Sequence, residues 1–279
     1  MVEKVLTPKI EALTAYANEI TGKNDTTLSD AVASLADGYG GGGSITEGIV
    51  IKSRDDRNFA TEVDYYGEIM PRYTFGAGRG DNVFTWTDLK KVNFMNGSVY
   101  LSWGNFCYAP ITELTTSAIK GRNPNENITF NTNSHETAIF KNMKSLVTLS
   151  LPEFVGFLNH FEVAGCTALK TVYLPKVTKL ASYGTNNRGC FSGDTALENV
   201  QIGSIGYAVD IVDTNPFKGC TQTGLAITLY TTGDYADTAV ANVRNGATNA
   251  TIVIKASETT TYNDTSYSAG DTILTSTPT

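Results

Sequence analysis

Four segments of the chain follow one pattern, and this repeat constrains the fold more than any other feature of the sequence. Each begins with a phenylalanine, continues through a turn of small residues to a leucine, and ends in a short strand-like stretch. The segments are FKNMKSLVTLSLP from Phe140, FEVAGCTALKTVYLP from Phe161, FSGDTALENVQI from Phe191 and FKGCTQTGLAITL from Phe217. They start about 20 to 30 residues apart, a spacing typical of solenoid proteins, in which each repeat packs against its neighbours. The sequence therefore predicts a stack of similar units.

The unit that begins at Phe161 shows which side chains should face the interior of the stack. Successive side chains of a strand point to opposite faces, so Lys170 and Tyr173 are expected to point outward. The predicted core positions of this unit are Phe161, Cys166, Leu169, Val172 and Leu174. On this interpretation the apolar residues stabilise the stack, and recognition is left to the outward positions and inserted loops.

The repeat resembles the BspA-type leucine-rich repeat, whose units read as Phe, a Gly-Cys turn, Leu, two residues, Val, one residue, Leu and Pro. The resemblance covers residues 69–231 and is clearest from Phe140 to Pro175, with fainter copies in LKKVNF and ITELTT. It implies a mainly β fold, a leucine-rich-repeat solenoid with a parallel sheet. The chain is also rich in Thr, Asn, Gly and Tyr, which favour strands and turns over long helices.

Residues 1–43 predict a separate pair of short helices before the repeats. Thr7 and Pro8 suit the start of one helix, and Thr27 with Asp30 suits the start of a second. The glycine run 40–43 follows as a hinge. Helices this short need a partner to cover their apolar faces. The residues predicted to anchor the protein or to form an oligomer are Ile10, Leu13, Ile20, Val32 and Leu35.

The stretch ALTAYANEITGKNDTTLSDAVASLADGYGGGG, joined to such repeats, resembles structural proteins of tailed phages that infect Gram-positive bacteria. This resemblance implies a virion protein, a head or tail fibre or a decoration protein, assembled in the host cytoplasm. Other virion proteins would bind residues 1–43, and the chain would form a homo-oligomer, with a trimer expected because projecting phage fibres usually are trimers. The repeats would then adhere to a protein or glycan of the host surface.

Two alternatives stay open beside the phage interpretation. A bacterial cell-surface BspA-like adhesin would need export, and MVEKVLTPKIEAL at the N-terminus lacks the apolar stretch of a signal peptide. A glycan depolymerase would need two carboxylates, and acidic residues do cluster in the range 55–68. Acids beside Arg54 and Arg57 at a turn are more typical of a solvated surface, so we expect no enzymatic activity.

Two flanking regions complete the predicted organisation. Residues 44–68 are typical of a β-hairpin with a polar turn from Ser53 to Asn58. Residues 232–279 are expected to form a C-terminal cap. It would contain a short helix between Asp234 and Asn245, the strand ATIVIK and a small hairpin with a Gly270-Asp271 turn.

Composition excludes several kinds of partner. The formal net charge of −7 disfavours nucleic acid, because binding to phosphates depends on Lys and Arg. We expect no membrane insertion, since no run of about 18 apolar residues occurs. Neither His135 nor His160 has another ligand type at metal-binding spacing, so we expect no metal and no cofactor. The cysteines, Cys107, Cys166, Cys190 and Cys220, are spaced too widely for a zinc pair or a dense disulfide framework, which predicts free, buried thiols.

Aromatic residues on or near predicted strands are the best candidates for ligand binding, because aromatic side chains dominate many recognition surfaces. The candidates are Trp86, Tyr100, Trp103, Tyr108 and Tyr173. The alternative for Trp86 and Trp103 is that they are core residues of the degenerate early repeats.

Overall fold

The protein is built from short strands separated by turns. A computed structural model describes residues 60–76, 86–126, 138–159, 161–180, 189–203, 215–233 and 236–275, together with 11, 14, 15 and 49–51; for 49–51 and 231–233 it describes the backbone only. In chain order the strands are β1 (Ile49–Ile51), β2 (Glu62–Tyr65), β3 (Ile69–Met70), β4 (Lys91–Phe94), β5 (Val99–Leu101), β6 (Glu113–Thr115), β7 (Ile119–Arg122), β8 (Thr148–Ser150), β9 (Gly156–Leu158), β10 (Thr171–Leu174), β11 (Val177–Leu180), β12 (Asn199–Ile202), β13 (Ala226–Gly233), β14 (Thr251–Tyr262), β15 (Thr265–Tyr267) and β16 (Thr272–Leu274). A helix, α1 (Ala236–Arg244), lies between β13 and β14.

Parallel strands from successive repeats pair side by side to form the first sheet. Its order is β6, β8, β10, β12, β13 and β14, and every neighbouring pair is parallel. On a second side of the molecule, β3, β5 and β7 are parallel, and an isolated bridge from Gly121 to Val155 continues this side towards the parallel pair β9 and β11. The chain thus winds as a parallel β-solenoid of about six turns, which confirms the mainly β stack predicted from the repeats.

The interior of the solenoid consists of stacked rows of apolar side chains. The register of the first sheet aligns one such row, which is Leu114, Leu149, Val172, Val200, Ile227 and Ile252. All of these side chains are buried. Leu169 and Leu174 are buried as predicted, whereas Lys170 is exposed and Tyr173 is half-buried on the outer side. Strand alternation explains both sets, since only every second side chain can reach the core.

A column of phenylalanines lines a third side of the core. Rings of neighbouring turns stack between Phe75 and Phe106, with centroids 5.6 Å apart, and between Phe191 and Phe217, at 4.8 Å. The prediction that Phe161 belongs to this column is wrong. The amide of Phe140 donates to the carbonyl of the residue that precedes Val163. In the same way, the amide of Val163 donates to the carbonyl of the residue that precedes Phe191. Val163 is therefore the aligned core residue, and Phe161 lies half-exposed two positions earlier.

The N-terminal flank is partly within the described residues. Strands β1 and β2 pair antiparallel, as the predicted hairpin requires, and β2 also pairs parallel with β4. The second strand of this hairpin, β2, is therefore already part of the solenoid. Glu11, Thr14 and Ala15 have helical backbone geometry, and the rest of the predicted helical hairpin, with the proposed anchor residues, lies outside the described residues.

The C-terminal flank covers the last turn of the first sheet. Helix α1 buries the side chains that its sequence pattern points inward: Ala236, Ala239, Val240 and Val243. Strand β14 begins at the second residue of the predicted ATIVIK stretch and pairs antiparallel with both β15 and β16. The tight hairpin turn is Asn263-Asp264, where both residues have positive φ; the turn predicted at Gly270-Asp271 instead joins β15 to β16. Within the described ranges, no helix has the length and apolar character needed to cross a membrane.

Candidate binding site

The outer surface of the first sheet carries rows of mostly uncharged polar side chains, and we call this surface the outer polar face. Because the strands are parallel and in register, outward residues of successive turns stand next to each other. One row is Thr115, Ser150, Tyr173, Gln201 and Thr228. The adjacent row contains Glu113, Thr148, Thr171 and Asn199. With strands about 4.8 Å apart, the first row extends roughly 20 Å across the sheet.

Hydrogen bonding orders the part of this face around Gln201. The Tyr230 hydroxyl donates to Gln201 Oε1 over 3.2 Å, and this bond defines which way the amide of Gln201 points. Lys255 Nζ lies 5.7 Å from the centroid of the Tyr230 ring, so the cation is held against an aromatic face. Tyr173 stands on the neighbouring strand beside Gln201. The face therefore has an ordered aromatic and amide patch at its centre.

Two ion pairs lie along the margin of this face, and Glu113 and Lys255 lie on its outer strands. Lys170 Nζ and Glu198 Oε1 are 2.7 Å apart at the start of β10 and β12. Lys176 and Glu153 form a second pair, also at 2.7 Å, beyond the other end of β10. Hydroxyl and amide groups both donate and accept hydrogen bonds, and aromatic rings add flat apolar surface. Such a surface suits a ligand with many hydroxyl groups and no charge.

The aromatic residues singled out from the sequence do not gather at one place. Tyr173 lies on the outer polar face, and Tyr100 lies on the outer side of the second sheet, where its strand neighbour is Ile69. Trp103 follows the second-sheet strand β5. Tyr108 is 48% exposed in a turn with φ of 66°, a conformation that a bulky side chain seldom adopts.

The proposed binding role of Trp86 is wrong, and the core alternative is correct for this residue. Its side chain is 1% exposed and packs edge-on against Phe75, with ring centroids 5.3 Å apart. Its indole Nε1 donates to the carbonyl of Thr74 over 2.8 Å. Trp86 is therefore a core residue of the early turns. It occupies space that smaller side chains occupy in the later repeats.

Sequence reasoning missed Gln201 and Tyr230 on the outer polar face. Each lies on an outward position one or two turns from Tyr173, and the repeat alignment would have found them once the strands were placed in register. It also missed Arg72 and Glu126, which contact each other and lie beside Trp103 only through pairing between turns that are far apart in sequence.

The buried acidic residues hold neighbouring turns together. Glu162 forms an ion pair with Arg122 and accepts backbone hydrogen bonds from Ile139, at 2.8 Å, and Asn159, at 3.0 Å. Burial raises the pKa of Glu162, and the Arg122 guanidinium and both amides partly offset that rise. Asp194 Oδ1 accepts from the Cys166 amide over 2.8 Å, and burial holds the pKa of Asp194 well above its usual value. Among the described residues, no group of acidic, histidine and cysteine side chains has the arrangement of a metal site.

The cysteines are free and buried, as predicted. The thiols of Cys107, Cys166 and Cys220 each donate to a carbonyl of a neighbouring turn, over 3.1 to 3.2 Å. Burial raises the pKa of the Cys107 thiol to about 12 and raises those of the others as well. Because only a thiolate is a good nucleophile, these side chains serve as small core residues.

The fold by itself places the chain in one structural class, the parallel β-solenoid proteins. Comparisons with known protein families, curated proteins and solved structures gave no match. The two resemblances drawn from the sequence are therefore hypotheses.

Proposed function

We propose that the chain is a non-enzymatic structural protein of a tailed-phage particle, a head or tail fibre or a decoration protein. In this proposal its solenoid projects from the particle and adheres to glycans of the host surface. The observation that carries the proposal is the outer polar face, a broad surface of hydroxyl and amide groups on a rigid stack of turns. Adhesion needs such a surface, and it needs no reacting groups.

The repeat chemistry supports a leucine-rich-repeat solenoid of the BspA type. In the clearest unit, Leu169, Val172 and Leu174 occupy core positions, and Tyr173 between them points outward. Cys166 fills the turn position that the Gly-Cys pattern assigns to it, and its thiol donates to the carbonyl of Phe140 in the preceding turn. Pattern and packing agree at these positions.

The ligand that best fits the outer polar face is a neutral glycan. An extended polysaccharide presents hydroxyl groups along its length, and the face offers matching donors and acceptors over roughly 20 Å of parallel strands. Tyr173 and Tyr230 supply aromatic surface beside Gln201. An anionic wall polymer is disfavoured, because the chain carries a net charge of −7.

Attachment to the particle is assigned to residues 1–43, through the apolar positions of their predicted helices. The same segment would bring copies of the chain together, and a trimer would present three outer polar faces at once. Multivalent presentation converts weak binding of each face into strong adhesion.

The alternative, a bacterial cell-surface adhesin, would use the same face on a different support. The location of the protein therefore separates the two functions. We expect antibodies to detect the full-length protein on purified phage particles and to lose that signal when residues 1–43 are deleted. Normal incorporation of the shortened chain would refute the anchoring role, and detection on bacterial walls without particles would favour the adhesin.

Glycan adhesion is tested by binding of the purified full-length chain to isolated walls of Gram-positive bacteria. Replacing Tyr173 and Gln201 together by Ala should weaken wall binding at least about tenfold, as expected for loss of a stacking residue and a polar contact. Thr178→Ala, on the exposed side of β11, is the matched control and should bind normally. Unchanged binding of the double variant would refute the role of the face, and release of new reducing ends would support a depolymerase instead.

A further inference from the structure

Three side chains from three successive turns meet where the chain leaves the second sheet, and we call them the corner cluster: Arg72, Trp103 and Glu126. The guanidinium carbon of Arg72 lies 4.0 Å from the centroid of the Trp103 ring. Arg72 Nε also donates to Glu126 Oε1 over 2.7 Å. Arg72 thus contacts the indole and the carboxylate at the same time.

Two polar atoms of the corner cluster lack the partners that buried groups normally have. Trp103 Nε1 and Glu126 Oε2 are both buried, and neither finds a hydrogen-bond partner among the described residues. The Glu126 side chain is only 8% exposed, so its carboxylate is largely desolvated. Leaving a donor and an acceptor unpaired in this way is costly. The indole N–H is therefore short of an acceptor, and the carboxylate oxygen is short of a donor.

A single group that served both atoms would be restricted in its chemistry. A carboxylate or phosphate could accept from Trp103 but would be repelled by Glu126, and an ammonium could donate to Glu126 but cannot accept from Trp103. A hydroxyl group does both. Beside it, the indole ring offers a flat apolar surface on which the carbon–hydrogen face of a sugar ring can lie.

We propose that the corner cluster is a binding site for a single uncharged sugar unit, separate from the outer polar face. One sugar hydroxyl bridges Trp103 Nε1 and Glu126 Oε2, and the sugar ring takes the place of the Arg72 guanidinium over the indole. Arg72 can move away from the indole because its side chain is 50% exposed. Among the described residues, it is held only by the stacking contact with Trp103 and by the ion pair with Glu126, and solvent reaches the Arg72 side of that pair.

The residues next to Trp103 bound this site on one side. Gly104 follows Trp103 with φ of 66°, and a methyl group at Gly104 would lie 2.2 Å from the ring of Tyr73. The Tyr73 ring therefore lies directly over the backbone beside Trp103. Together the two aromatic residues flank a glycine, which keeps the backbone there free of side-chain bulk.

Indole N–H resonances in a nitrogen-15 NMR spectrum of the full-length protein test the site directly. The chain has two tryptophans, and Trp86, whose N–H is bonded inside the core, is the internal reference. Titration with glucose and with N-acetylglucosamine should move the Trp103 resonance to a saturating position and leave that of Trp86 in place. Trp103→Phe assigns the resonance by removing it.

Two further variants separate sugar binding from a merely structural cluster. Arg72→Ala should strengthen sugar binding several-fold, because the ligand no longer displaces the guanidinium. Glu126→Gln should weaken it about three- to tenfold, because a charge-assisted hydrogen bond is lost. Tyr173→Ala should leave the Trp103 titration unchanged. The two proposals can therefore be tested separately: loss of sugar binding at the corner cluster would not refute adhesion through the outer polar face, and loss of adhesion would not refute the corner cluster. If neither sugar moves the Trp103 resonance in the wild-type protein or in Arg72→Ala, the cluster holds only water and the proposal is overturned.

Discussion

Arg122 and Glu162 form a buried ion pair that joins two neighbouring turns of the solenoid. Arg122 Nη2 donates to Glu162 Oε2, and both side chains are less than one-tenth exposed. Arg122 Nε also lies 3.4 Å from the carbonyl of Phe157, and its guanidinium is 5.1 Å from the Phe157 ring. With two backbone amides on the Glu162 carboxylate, the pair satisfies most of its hydrogen-bonding capacity inside the core.

Removing one partner of this pair should be far more damaging than removing a surface partner. Arg122→Met leaves the buried Glu162 carboxylate with two backbone amides and no cation, so we expect the free energy of unfolding to fall by about 3–5 kcal/mol. Lys170→Met, which breaks the exposed pair with Glu198, is the control and should cost less than about 1 kcal/mol. Urea denaturation measures both, and equal losses would show that the buried pair has no special role.

Asp194 should make stability depend on pH. Burial raises the pKa of this carboxyl in the folded protein, whereas in the unfolded chain it ionises near its ordinary value of about 3.9. Between those two pKa values the folded state binds one proton more than the unfolded state. Stability therefore falls as the pH rises, by up to about 1.4 kcal/mol per pH unit, and levels off above the folded pKa.

The variant Asp194→Asn isolates this effect, because it keeps an acceptor for the Cys166 amide and cannot ionise. We expect its free energy of unfolding to increase relative to wild type as the pH is raised from 4 to 8. All other groups titrate equally in the two proteins, so the difference between their curves reports Asp194 alone. Parallel curves would mean that Asp194 is not held protonated.

Phe191 and Phe161 should respond very differently to truncation, although the repeat pattern aligns them. Phe191 is fully buried and stacks on Phe217, so Phe191→Ala should cost about 3–5 kcal/mol. Phe161 is half-exposed, with Lys141 Nζ 4.8 Å from its ring, so Phe161→Ala should cost about 1 kcal/mol or less. Denaturant unfolding of both variants checks the alignment, and similar losses of unfolding free energy would show that Phe161 is a core residue.

Tyr108 occupies a turn position that glycine fills in later repeats. Backbone hydrogen bonds align Tyr108 with Asn142, Gly165, Gly193 and Gly219, all of which have positive φ. Tyr108→Gly should therefore be more stable than Tyr108→Ala by about 1 kcal/mol, because alanine keeps the left-handed strain that glycine removes. Thermal unfolding compares the two, and a more stable alanine variant would contradict the assigned conformation.

The sequence predicted the solenoid because the fold repeats, and each repeat supplies independent evidence for the same period. It could equally identify Leu169, Val172 and Leu174 as core residues, since strand alternation is a local property. It misplaced Phe161 because a two-residue shift of one unit preserves the apparent motif, and only the bonds between turns reveal Val163 as the aligned residue.

The candidate sites were less predictable, because they are made by contacts between turns. Nothing near Trp103 in the sequence marks Arg72 or Glu126 as its neighbours, and Tyr230 reaches Gln201 from the next strand. Trp86 and Trp103 have the same residue type and similar local sequence, yet one is in the core and the other lies at a corner.

Both ends of the strand stack are closed by strands that run the opposite way. Strand β1 pairs antiparallel with β2 at the N-terminal end, and β15 and β16 pair antiparallel with β14 at the C-terminal end. A further turn stacked on either of these ends would meet an antiparallel strand first. Each turn gained or lost in a relative would change the length of the stack by about 4.8 Å while leaving the surface of every other turn intact.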